Sequence, residues 1–140
     1  MKDFYVIITA DGHSHGRDHT SGDFYVPTPW LQRLEGDWEM ALVELSIECE
    51  FSPKSDIVYL CSDIVEQTYI GQVPPTVLRN IGVRGRYNTY LTESYADPRY
   101  VGLRTGWKQD AHFQILNDRG QSLTFTSKKL HAVLHVRQRQ

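Results

Sequence analysis

The stretch from Gly36 to Phe51 constrains the fold of this chain more than any other. After Gly36 it contains neither Gly nor Pro and is largely apolar. Trp38, Met40 and Leu42 share one phase of a period-two pattern. Then Ala41, Val43, Leu45, Ile47, Cys49 and Phe51 carry the apolar side chains, with Glu44, Ser46, Glu48 and Glu50 opposite. Polar residues at successive even positions fit a strand better than a helix. Strand side chains alternate between faces, so the apolar side must change near Ala41 to Val43. That change requires a bulge, a sharp bend or burial of both faces. The run also exceeds the usual strand length, which predicts a bent strand passing between two sheets.

Other segments read in the same way. Phe4 to Ala10 is β-branched and aromatic, and Phe24-Tyr25-Val26 is a brief extended piece. Thr28-Pro29 and Gly36 bracket a helix of one to two turns, with Thr28 as N-cap and Trp30, Leu31 and Leu34 on its apolar face. Ile57 to Cys61 is continuously apolar and reads as covered on both faces, with Ser62 to Gln67 continuing it. Val73-Pro74-Pro75 restricts the segment through Arg79 to an edge strand or a loop leading to one. Gly82 to Arg99 reads as an exposed loop, and Tyr100 to Leu103 as a short strand. Asn117-Asp118-Arg119-Gly120 is a tight turn between alternating segments, the signature of a β-hairpin. Leu130, Ala132, Leu134 and Val136 alternate with His131, Val133, His135 and Arg137 in a last strand. Many short strands with turns between them predict an all-β sandwich or barrel.

At 140 residues the chain suits one domain, 1–140, with a full core. No apolar run approaches a membrane span, and Met1 to Ile8 is too short for a secretory signal. Cys49 and Cys61 are expected as buried free thiols on adjacent strands, which suits assembly inside a cell. Charge is lopsided along the chain. Residues 1–68 hold thirteen acids against four bases, a balance of −9, and residues 69–140 hold eleven bases against four acids, +7. Either the halves interleave and neutralise locally, or they form two complementary faces that favour head-to-tail association of identical subunits. In the second case Glu44, Glu48, Arg84, Arg86, Arg137 and Arg139 are the candidate interface. The basic end lacks an RNA-binding aromatic motif, so nucleic acid is not an expected partner.

One loop resembles a metal site. His13 and His15, with His19, Asp11 and Asp18 nearby, place two imidazoles on one side of an extended chain. A cupin-type centre also needs a Glu shortly after the pair, and none is in the loop, where the next acid is Asp18, so a solvated loop is expected and no cofactor or metal is assigned. His131 and His135 are too far apart along a strand to chelate one ion and read as exposed. Asp63 is the one carboxylate expected to be buried, as a structural acceptor at a turn. Trp38, Tyr59, Trp107, Phe113 and Phe125 are expected in the core. No nucleophile elbow or phosphate loop is present, and the chain is not expected to be an enzyme.

Gly36-Asp37-Trp38-Glu39-Met40-Ala41-Leu42-Val43-Glu44-Leu45 resembles a Gly-x-Trp-Glu-apolar-x-Leu-x-Glu pattern of penton-type minor capsid proteins of Polinton (Maverick)-like elements and adintoviruses. Two further pieces are similar and in the same order: Val58 to Gly71 with Pro75 to Arg79, and Leu130 to Arg137. Together they cover about half the chain. The His-rich loop lies outside the pattern. The resemblance implies a single jelly roll that forms pentamers at capsid vertices of double-stranded DNA viruses and related elements. It also implies contact with a major capsid protein, no membrane partner, and a place in the virion after assembly inside the host cell. A trimer would keep the virion class but suggest a spike. The alternative is a small recognition module, binding a receptor or carbohydrate through the Arg84 to Arg99 loop with Tyr87, Tyr90 and Tyr95.

Overall fold

The computed structural model describes residues 3–10, 23–48, 57–67, 76–83, 90–104, 110–121 and 130–139. The strands are β1 (Asp3–Ala10), β2 (Asp23–Pro27), β3 (Trp38–Glu48), β4 (Ile57–Ser62) and β5 (Val77–Gly82), then β6 (Tyr90–Ser94), β7 (Val101–Gly102), β8 (Asp110–Leu116) and β9 (Leu130–Gln138). They form two antiparallel sheets. One runs β1-β9-β3-β6, with β7 also on β3, and the other runs β2-β8-β4-β5. The chain changes sheet at almost every connection, and its first and last described strands lie side by side. This is the jelly-roll β-sandwich.

The core lies between the sheets. From the first sheet it takes Ile8, Trp38, Met40, Leu42, Leu45, Ile47, Leu91, Leu130, Ala132, Leu134 and Val136. From the second it takes Val58, Leu60, Leu78, Ile81, Ala111, Phe113 and Ile115. β9 is buried at Leu130, Ala132, Leu134 and Val136, as its alternation predicts.

In β3 the apolar side changes by a bulge. Leu42 pairs with Leu134 and Glu44 with Val133, so Val43 is the extra residue. The bulge lets Trp38, Met40 and Leu42 face the core before it, and Leu45 and Ile47 after it. The carbonyl of Val43, displaced from the ladder, accepts the Tyr95 N–H at 2.9 Å. β3 does not pass between sheets. β9 occupies one of its edges throughout, and β7 and β6 divide the other.

Several other local expectations need correction. Of Ser62 to Gln67 only Ser62 extends β4: Asp63 and Ile64 form a turn, and Val65 bridges Leu103. Part of the expected loop from Gly82 to Arg99 is β6, which becomes a strand by pairing with β3. The turn at Asn117–Gly120 is present, with Gly120 at φ 79° and the Asn117 side-chain oxygen accepting N–H groups of Arg119 and Gln121, both at 2.9 Å. However, Phe113 and Gln114 pair with β2 on one side and β4 on the other, so neither has an edge for a hairpin return arm. The return arm, Ser122 to Thr126, lies outside the described residues.

The expected helix is a 3-10 turn, Pro29–Arg33, with Leu31 buried and Trp30 and Leu34 packed against the core. Thr28 precedes it but makes no side-chain cap bond. Cys61 is a buried free thiol of the second sheet, whereas Cys49 comes after a strand of the first and lies outside the described residues. The strands that carry or precede them are therefore not neighbours. Trp38 and Phe113 are core residues, whereas Tyr59 is half-buried in a separate cluster with Cys61, Val77 and Leu116. Trp107 and Phe125 are outside the described residues.

Candidate interaction surface

The outer face of the first sheet gathers a connected set of polar side chains. On β1 the odd positions Asp3, Tyr5, Ile7 and Thr9 point away from the core and are exposed. Register places Asp3 opposite Arg137, Tyr5 opposite His135, and Ile7 opposite Val133. β3 continues two of these rows, with Glu39 opposite Arg137 and Ala41 opposite His135.

His135 is at the centre of this face and is not the exposed strand residue its spacing predicts; its side chain is 12% exposed. Its imidazole stacks on Tyr5 at 4.7 Å, and Tyr100 meets it edge-on at 5.8 Å. Nε2 lies 2.8 Å from Asp3 Oδ2, and Nδ1 lies 2.7 Å from the Tyr100 hydroxyl. An ionised carboxylate only accepts, so Nε2 donates to Asp3, while Nδ1 pairs with the Tyr100 hydroxyl. Both ring nitrogens are thus hydrogen-bonded within the chain. Ala41, beneath this row, is fully buried.

The next row is ionic. Arg137 lies over the Tyr100 ring, 3.4 Å from its centre, and donates from Nε to Glu39 Oε2 at 2.7 Å. Arg139 reaches Glu39 Oε1 at 3.4 Å and Glu66 Oε1 at 3.6 Å. Gly102 sits close beneath Glu66 and Arg139, so a side chain there would collide with both. Each of these ion pairs joins the acidic first half of the chain to the basic second half, which is local neutralisation within the folded chain.

Of the candidate interface residues, Glu44 is exposed, while Arg137 and Arg139 share Glu39. Glu48 pairs through its backbone with Tyr90, and its side chain, like all of Arg84 and Arg86, lies outside the described residues. His13 and His15 lie outside them too. Among the described residues no three His, Cys, Asp or Glu side chains converge as a metal set would. Asp63 is half-buried rather than buried, and it is a structural acceptor, its Oδ1 taking the His112 N–H at 3.0 Å.

Three further features complete the surface. Arg79 of β5 lies over Tyr95, 3.9 Å from the ring centre, and this contact links an edge strand of the second sheet to the segment after β6. The Tyr95 hydroxyl and the Arg79 Nε and Nη1 are buried with no hydrogen-bond partner among the described residues. Burial pushes the Tyr95 hydroxyl up, with the Arg79 guanidinium opposing the shift and Glu93 adding to it. On the second sheet, Tyr25 stacks on His112 at 4.5 Å. A groove of about 370 Å³ opens between Phe4, Arg33, Leu34, Glu35, Trp38 and Gln138.

Sequence reasoning did not identify Asp3, Tyr5, Glu39, Glu66 or Tyr100 as members of one cluster. The alternation of Asp3, Tyr5, Ile7 and Thr9 with apolar neighbours signals that they share a face, but their partners come from strand pairing alone. No protein-family model matches the chain, and no curated protein matches it either.

Proposed function

We propose that the chain is a structural virion subunit, a penton-like minor capsid protein that self-assembles at shell vertices of a double-stranded DNA virus or related element. The observation that carries this reading is the strand order, β1-β9-β3-β6 against β2-β8-β4-β5, an architecture common to capsid and lectin domains and cupins. The stretches that resemble penton-type proteins fall on β3, on β4 and the turn after it, on the start of β5, and on β9. The closed network around His135 and Glu39 adds support, since side chains bound to one another suit a wall better than a reaction centre.

In this reading the subunits meet through charged positions, with Glu44 and Glu48 of one copy facing Arg84 and Arg86 of the next, and Arg137 and Arg139 at the margin. The test is solution mass by light scattering at low and high salt. A closed pentamer that loosens in high salt is expected, because exposed pairs are screened beyond about 8–10 Å. A monomer at every concentration would sink the capsid reading and favour a recognition module. In such a module Tyr95 would contribute little, being half-buried beneath Arg79.

A further inference from the structure

We infer that the outer edge of β1 is a two-fold contact at which a second copy of this chain pairs antiparallel, joining two β1-β9-β3-β6 sheets into one. This goes beyond the capsid reading and does not depend on it.

β1 ends its sheet, and among the described residues no strand pairs along its outer edge. An unpaired edge presents main-chain donors and acceptors that another strand can match, and natural sheets usually blunt such edges with short length, Pro, Lys or a bulge. The other edges are blunted by these means. β2 has five residues and ends in Pro27, β6 has five residues, and β5 comes after Pro74-Pro75 and pairs across a register shift. β1 has eight residues with no Pro, Gly or Lys, and its pairing with β9 is regular throughout. It also carries the only large apolar side chains exposed among the described residues, Tyr5 and Ile7, each 64% exposed. Tyr5 is braced by its stack on His135, which lowers the entropy lost when a partner immobilises it.

The strand is complementary to itself in one register. With the two-fold axis at Val6, Tyr5 faces Ile7 of the second copy, and Asp3 faces its Thr9. Phe4 then faces Ile8 across the core side. The two apolar contacts repeat by symmetry, and the only charge meets a hydroxyl. Moving the axis to Tyr5 sets Asp3 against Ile7, and moving it to Ile7 leaves Asp3 beyond the ladder. Charge and apolar matching therefore select Val6.

The experiment is analytical ultracentrifugation of the full chain and of Ile7→Lys, each checked by thermal melting. The contact adds to any pentamer, so the wild type is expected as an even number of chains, ten where closed pentamers pair across β1. In Ile7→Lys the two-fold contact is expected to weaken by about tenfold or more, the substitution being felt twice across the axis. Melting should hold, since Ile7 is exposed. The register is read by cross-linking in a Cys49→Ser background. A mixture of Tyr5→Cys and Ile7→Cys chains should form disulfide dimers faster than either variant alone. An odd-numbered assembly, an assembly unchanged in Ile7→Lys, or equal cross-linking of mixed and single variants would overturn the contact. A pentamer unaffected by Ile7→Lys would remove it while leaving the capsid reading standing.

Discussion

Cys61 shows how position decides the behaviour of a single side chain. Its sulfur has no solvent exposure and packs in a cluster with Val77, Leu116 and Tyr59. Burial disfavours the thiolate and pushes the pKa from 9.0 up to about 12. A folded pKa above the unfolded one means that the stabilising effect is complete below pH 9.0 and disappears as pH rises toward about 12. At about pH 8.5, near the ordinary thiol pKa, alkylation of Cys61 located by mass spectrometry should be at least about a hundredfold slower in the folded chain than in denaturant. Raising pH toward about 11 should also destabilise the wild type more than Cys61→Ala in denaturant melts. Alkylation at the rate of an unfolded thiol would show that the cluster is open to solvent.

Among the elements, β3 is the one shaped by an inserted residue. Because Val43 is extra relative to β9, deleting it joins Leu42, opposite Leu134, directly to Glu44, opposite Val133, and makes the ladder regular. Leu45 and Ile47 keep their core positions and Glu44 its outward one. Deletion of Val43 should therefore keep the near-ultraviolet circular dichroism of the folded chain, and Val43→Ala, which preserves the bulge, should cost only about 1 kcal/mol. A deletion variant without that signal would show that the fold needs the bend at the bulge as well as the facing of the side chains. This element was legible in the sequence because large apolar side chains mark both phases of the pattern, and β9 was legible for the same reason. β6 was not. Thr92, Glu93 and Ser94 carry no pattern of their own, and only pairing with β3 makes them a strand. The Asn117–Gly120 turn was local and readable, whereas the neighbours of β8 are set by distant segments. The site was harder to read. The groups enclosing His135 come from Tyr100, 35 residues away, and Asp3, 132 residues away. No spacing rule reaches that far.

Across the whole molecule, the two halves of the chain are held together by sheet pairing and by charge. Glu39–Arg137, Glu39–Arg139 and Glu66–Arg139 each join an early acid to a late base, and the Asp3–His135 hydrogen bond joins the same halves. β9 links β1 and β3, so both lose a ladder if it is removed. Deleting residues 130–139 should leave a chain without cooperative melting, and the intact chain should refold on the millisecond-to-second scale typical of non-local β pairing. Refolding in microseconds would contradict a fold closed by its last strand.

The pairing of β1 with β9 also has a consequence for synthesis. β1 leaves the ribosome well before β9, the strand it pairs with, is made. At about 5–20 residues per second, Phe4 to Ala10 spends roughly 6 to 25 seconds without its neighbour. During that time both edges of an apolar strand are open in a cell crowded with identical nascent chains. A holdase that covers short apolar segments is therefore the cellular factor on which the yield of this protein should most depend.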